Sequence, residues 1–140
     1  MDLPEIGNMS STHSANPLVC SAGLAVLEEI KEKNLTEESF RKGKILLQGL
    51  NKLKEKYKEN ISYIFCKGLI AAILFRSNKD NFSDSHFTSL IAEKCYEKGL
   101  LVVHTGRESI KIGPPLIIPD EAIIEGLEVI EQSIKEVIEA

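Results

Sequence analysis

The chain has 140 residues, of which 43% are hydrophobic and 27% charged, enough for one domain with a real core and too few to expect two. Its cations are 14 Lys and 3 Arg, its net charge is −4, and that balance offers no basic face to nucleic acid or anionic lipid. No apolar run approaches the roughly 20 residues that span a bilayer, and Met1-Asp2-Leu3-Pro4-Glu5 lacks the charged and apolar regions of a secretory signal, so a cytoplasmic chain with no membrane partner is expected.

In chain order, Asn16-Pro17 reads as an N-cap with proline at the first helical position, and the helix can run to about Lys33, where Asn34 suits a left-handed stop. Its first half, Leu18 to Leu27, is apolar on every side, the pattern of a helix buried all round; Glu28 to Lys33 is polar. Thr36 then caps a second helix, with Glu37 and Glu38 against its dipole and Phe40, Leu47, Leu50, Leu53 and Tyr57 at helical intervals. Ile61, Tyr63 and Phe65, followed by Leu69 to Phe75, form two strands joined tightly at Lys67-Gly68. After a polar loop from Asn78 to Ser85 come a third helix, His86 to Lys98, stopped by Gly99, and strands at Leu100 to Val103 and Ser109 to Ile112. Gly113-Pro114-Pro115 ends the last strand, and Pro119, Asp120 and Glu121 open a final helix with one apolar stripe: Ile123, Leu127, Ile130, Ile134 and Val137. Cys20, Cys66 and Cys95 are far apart and sit among apolar neighbours, which reads as reduced core thiols, neither a disulfide framework nor a metal site. The expected class is α/β, in its α+β form: a small, mostly antiparallel sheet with helices packed on it.

Four stretches carry a further signal: "THSANPLVC", "GLIAAILF", "GLLVVH" and "IKIGPPLIIPDEAI". In that order and spacing they resemble the C-terminal part of class III pyridoxal-phosphate-dependent aminotransferases, the ornithine and 4-aminobutyrate type, over essentially the whole chain. The resemblance implies the C-terminal small domain of a fold-type I transferase at residues 35–140, preceded at 1–34 by a cofactor loop and a long bridging helix. It also implies a homodimer, amine and keto acid substrates, and pyridoxal 5'-phosphate held mainly elsewhere in the enzyme. The family's Schiff-base lysine lies a few tens of residues before the Thr-His-Ser loop, so no lysine here is expected to be catalytic, and the chain alone is expected to bind no cofactor.

The resemblance assigns site residues position by position. Thr12 matches the threonine that donates to the cofactor phosphate, and Ser11 is a weaker candidate; both suit a dianion, which needs several directed donors ahead of a helix. The plainer alternative is a solvated loop from Ser10 to Ser14 with Asn16 as a cap, and His13 stays with that alternative. Lys111 stands where many members have an arginine that grips the substrate carboxylate. Lysine supplies a point charge without the bidentate fork. Arg107, four residues earlier, is a second candidate, against the alternative of a solvated charge. Two functions are carried: the C-terminal portion of an aminotransferase, and a non-catalytic interaction or dimerisation module derived from that family. No metal site is expected.

Overall fold

The computed structural model describes residues 15–78, 83–104 and 106–140. The chain divides after Leu35 into two compact units. The first contains α1, Pro17–Glu32, whose N-cap Asn16 accepts a hydrogen bond from the Leu18 amide at 2.9 Å. Asn34 follows at φ 48, the left-handed stop its side chain tolerates. No residue of α1 is buried. Leu18 is 79% and Leu27 64% exposed, so the described residues leave uncovered the apolar helix expected to be surrounded by a larger body, and Cys20, expected among the core thiols, is exposed.

The second unit is built from α2 (Leu35–Lys56), β1 (Ile61–Lys67), β2 (Ile70–Phe75), α3 (Asp84–Glu97), β3 (Val103–His104), β4 (Ser109–Ile112) and α4 (Asp120–Glu139). The strands form one sheet in the order β1-β2-β4-β3, every neighbouring pair antiparallel. One face carries Ile61, Ala71, Ile73, Phe75 and Ile110 into a core shared with Leu46, Leu50 and Leu53 of α2, Phe87, Ile91 and Cys95 of α3, and Ile123, Ile130 and Ile134 of α4. The apolar residues of α4 recur at intervals of three, four and seven, so one stripe meets the sheet. The α/β expectation, helices on a small antiparallel sheet, is thus the architecture observed.

Local chemistry explains the element ends. The β1–β2 connection is Gly68-Leu69, with Gly68 at φ +57, a conformation a side chain resists. The Ser83 hydroxyl caps α3, accepting from the His86 amide at 3.2 Å. At the other end of α3, Gly99 adopts φ +84 and the Leu100 amide donates to the Cys95 carbonyl at 2.9 Å. That bond occupies the first donor of the stretch expected to be a strand from Leu100, so pairing begins only at Val103 and Leu101 stays 78% exposed. Thr36 is likewise not a cap: α2 begins one residue earlier, at Leu35, directly after the left-handed Asn34. Phe40 and Leu47 belong to the outer face of α2, 61% and 37% exposed, while Leu46, Leu50 and Leu53 form the inward stripe. Of the other thiols, Cys95 is buried and Cys66 half-buried, and burial pushes both above the ordinary thiol range.

Candidate functional site

The segment joining β4 to α4 carries the residues with most chemical content. Lys111 lies in the middle of β4, paired with Ala72 on one side and Val103 on the other. Alternation along the strand sends Ile110 into the core, completely buried, and turns Lys111 to the opposite face, where it is exposed. After Ile112 the chain passes through Gly113-Pro114-Pro115, beside a cleft of about 260 Å³ walled by Leu46, Leu101, Val103, Ile123 and Leu127. Of the residues lining that cleft only Lys111 is charged. An apolar body with an anionic end suits such a lining.

Arg107 belongs to the β3–β4 connection, exposed, next to Gly106 at φ +75. Its backbone carbonyl meets the His104 ring nitrogen Nε2 at 2.9 Å, which pins the turn. Among the described residues no hydrogen bond or ion pair joins Arg107 to Lys111. Thr12 and Ser11, the phosphate-loop candidates, lie outside the described residues.

The segment after β4 is held by a clamp that pattern reading alone does not find. The Arg41 guanidinium donates to both carboxylate oxygens of Asp120, at 2.7 and 2.8 Å, and to Glu38 at 2.9 Å. These bonds hold the Glu38 and Asp120 carboxyls below their ordinary range and raise the already basic guanidinium. Next along α2, the Lys42 side chain is buried, and its ammonium donates to the Leu116 carbonyl at 3.2 Å with Glu38 3.9 Å away. The start of α2 thereby ties down both the middle and the end of the segment from Gly113 to Asp120. The sequence signal was present in Glu38, Arg41 and Asp120, yet Arg41 and Asp120 are 79 residues apart, and nothing local links them.

A small antiparallel sheet with helices on one face also occurs as a part of solved transaminases. The crystal structure of acetylornithine aminotransferase from Elizabethkingia anophelis superposes with a TM-score of 0.78 at 30% identity, covering 96% of this chain and 32% of that one. Among sequence relatives, mitochondrial acetylornithine aminotransferase of Debaryomyces hansenii is 32% identical over 132 residues, 94% of this chain and 27% of its own. Putrescine aminotransferase of Pectobacterium atrosepticum is 35% identical over 114 residues, 80% of this chain and 23% of its own. The family described as Aminotransferase class-III matches residues 1–134, and the chain belongs to that family. It spans between a quarter and a third of the length of the acetylornithine enzymes it matches.

Proposed function

We propose that this chain is the C-terminal portion of a homodimeric aminotransferase that moves an amino group from an amine or amino acid to a keto acid or aldehyde. The observation that carries the reading is the family match across residues 1–134. Pyridoxal phosphate, when bound in such an enzyme, supplies the electron sink for the exchange. The described residues do not by themselves fit that cofactor. Lys42 is their one buried lysine, and its ammonium is already committed to Leu116 and Glu38. A Schiff-base lysine must instead present a free amine in an enclosed site. That lysine, and the partner of the cofactor ring, belong in this reading to the remainder of the enzyme.

The contributions assigned to this chain are narrower. Thr12, with Ser11 as a weaker second, donates a hydroxyl to the cofactor phosphate. Lys111 holds a substrate carboxylate by charge alone, which fixes position less tightly than a guanidinium fork. Arg107, in the turn ahead of β4, is the second candidate for that carboxylate.

The test combines the chain with the N-terminal portion of the enzyme. A charge-assisted hydrogen bond contributes about 1.5–3 kcal/mol, so one or two phosphate contacts cannot offset the ordering of a small ligand. The isolated chain therefore gives no stoichiometric lysine labelling after incubation with pyridoxal phosphate and borohydride, and no transamination. The combined enzyme gives both. Thr12→Ala then weakens cofactor retention by roughly ten- to a hundredfold while changing turnover on bound cofactor much less. A single stoichiometric label on the isolated chain overturns the reading, because one of its own lysines would then be catalytic. A combined enzyme without activity favours the interaction-module alternative.

A further inference from the structure

Lys42 sits where a charge is poorly placed for stability. Only 7% of the residue is exposed. Its ammonium donates to one carbonyl, that of Leu116, at 3.2 Å, and the Glu38 carboxylate, 3.9 Å away, is beyond hydrogen-bond range. A buried ammonium with one neutral acceptor and a loose ion pair gains little over an apolar side chain of the same length. Its effect is on the course of the chain that it holds.

That stretch has few other ties. β4 ends at Ile112, Pro114 and Pro115 have no N–H to donate, and the Ile118 amide bonds within the stretch, to the Pro115 carbonyl at 3.0 Å. Among the described residues, the hydrogen bonds that fasten residues 114–120 to another element come from α2 alone: Lys42 at Leu116 and Arg41 at Asp120. Lys42 acts at the nearer point, immediately past the proline pair. One turn along the same face of α2, Leu46 walls the cleft that Gly113, Pro114 and Pro115 border. The Lys42 bond therefore sets how far that border stands from α2, and where the chain leaves the sheet just after Lys111.

We propose that Lys42 is a positioning residue for the reaction: through the Leu116 carbonyl it fixes residues 113–116 beside the cleft, and so the place from which Lys111 meets a substrate carboxylate. The proposal rests on the aminotransferase reading. An amine without a carboxylate makes no use of that contact, so Lys42 acts on the discrimination between the two kinds of substrate and not on turnover.

The test is Lys42→Met, which keeps the length of the side chain and removes the donor. In the isolated chain, hydrogen exchange is followed amide by amide. The Ile118 amide should exchange faster in the variant by about tenfold or more, because the turn it closes is no longer fastened at Leu116, while the amides of β2, paired on both sides, keep their rates. In the complete enzyme the variant should raise KM for an α-amino acid by about three- to tenfold, with kcat within about twofold and both constants for an amine without a carboxylate unchanged. A purely structural Lys42 would affect both substrates alike. Unchanged Ile118 exchange, or an active enzyme whose two substrates respond equally, overturns the proposal and spares the aminotransferase reading. A parent enzyme without transamination overturns that reading, and the proposal with it. Should Lys42→Met not fold, the same measurements are made with the α-hydroxy acid analogue of Ile117, whose ester linkage weakens the Leu116 carbonyl as an acceptor and leaves Lys42 in place; the same outcomes decide.

Discussion

Gly43 and Gly49 lie in the same helix, and giving each a methyl group should have opposite consequences. Both substitutions gain about 1 kcal/mol from the helix propensity of alanine. At Gly43 the new Cβ would come within 3 Å of three backbone atoms of Gly68, in a turn that already needs φ +57. Backbone on both sides leaves nothing to rotate away. To reach ordinary contact, α2 and the β1–β2 turn must part by roughly 1 Å, which also lifts Leu46 and Leu50 from the sheet. Overpacking of this kind costs about 1–3 kcal/mol or more, and backbone meeting backbone puts this site at the upper end, so Gly43→Ala should be destabilised by about 2 kcal/mol net of the helix gain. At Gly49 the obstruction is the end of the Leu127 side chain, half-buried and free to change rotamer. The gain there offsets the cost, leaving Gly49→Ala within about 0.5 kcal/mol of the parent. For a body of this size 1 kcal/mol moves the midpoint by about 3–5 °C, well resolved by thermal unfolding followed in the far ultraviolet. Equal midpoints for the two variants, or Gly49→Ala as the less stable, would refute the packing argument.

Charged groups give two further outcomes. Glu38 and Asp120 are held below their ordinary values of 4.5 and 3.8, first by hydrogen bonds from Arg41, so the unfolded chain takes up protons more readily than the folded one. Their contribution to stability is then complete above about pH 5 and is lost as pH falls through the folded-state values; Arg41→Gln should flatten the acid limb of the stability curve, and an unchanged slope would show that the clamp contributes nothing. In the complete enzyme, Lys111→Arg should raise kcat/KM for α-amino acids relative to amines by several-fold, up to about tenfold. An unaltered ratio would mean that Lys111 does not meet the substrate carboxylate.

Local signals in the sequence were legible wherever a single residue type answers a single backbone need. Asn16 before Pro17, the left-handed Asn34, the turn at Gly68 and the helix stop at Gly99 all occur where residue type alone places them. In β1 the period-two spacing marks a strand correctly but does not show which face each residue takes. Ile61, Tyr63 and Phe65 alternate as if they shared a face, but the register shifts between Ile61 and Tyr63, and such a bulge reverses every side chain beyond it. Ile61 enters the core, Ile64 and Cys66 pack against it, and the two aromatic rings go to the open face. The clamp from Arg41 to Asp120 was illegible for another reason: it is a pairing across most of the second unit, and composition carries no trace of it. Lys111 was identified by resemblance, while its flanking by Ala72 and Val103 comes only from the strand order.

The exposed first helix leads to the last prediction, that the isolated chain associates through α1. Within Pro17–Glu32 five large apolar side chains, Leu18, Val19, Leu24, Val26 and Leu27, are 58–79% exposed. A fully buried side chain of this kind is worth roughly 1.5–3 kcal/mol. Covering even half of five on each of two copies therefore yields on the order of 10 kcal/mol gross, from which association and side-chain ordering subtract several kcal/mol. The remainder corresponds to weak pairing, in the micromolar range or above, so the expected result is a concentration-dependent dimer or larger species with binding of an apolar dye at low concentration. The seat of that pairing is testable against the sheet. Leu24→Glu with Leu27→Glu removes two of the five contacts and places four carboxylates in any two-copy interface, whereas Phe65→Lys with Ile70→Lys, at exposed positions of the sheet, leaves α1 untouched. Sedimentation should collapse to monomer for the first pair and not for the second. A parent chain that sediments as a clean monomer at high concentration, without dye binding, would contradict the prediction, since an apolar helix of this exposure would then be stable in water without a cover.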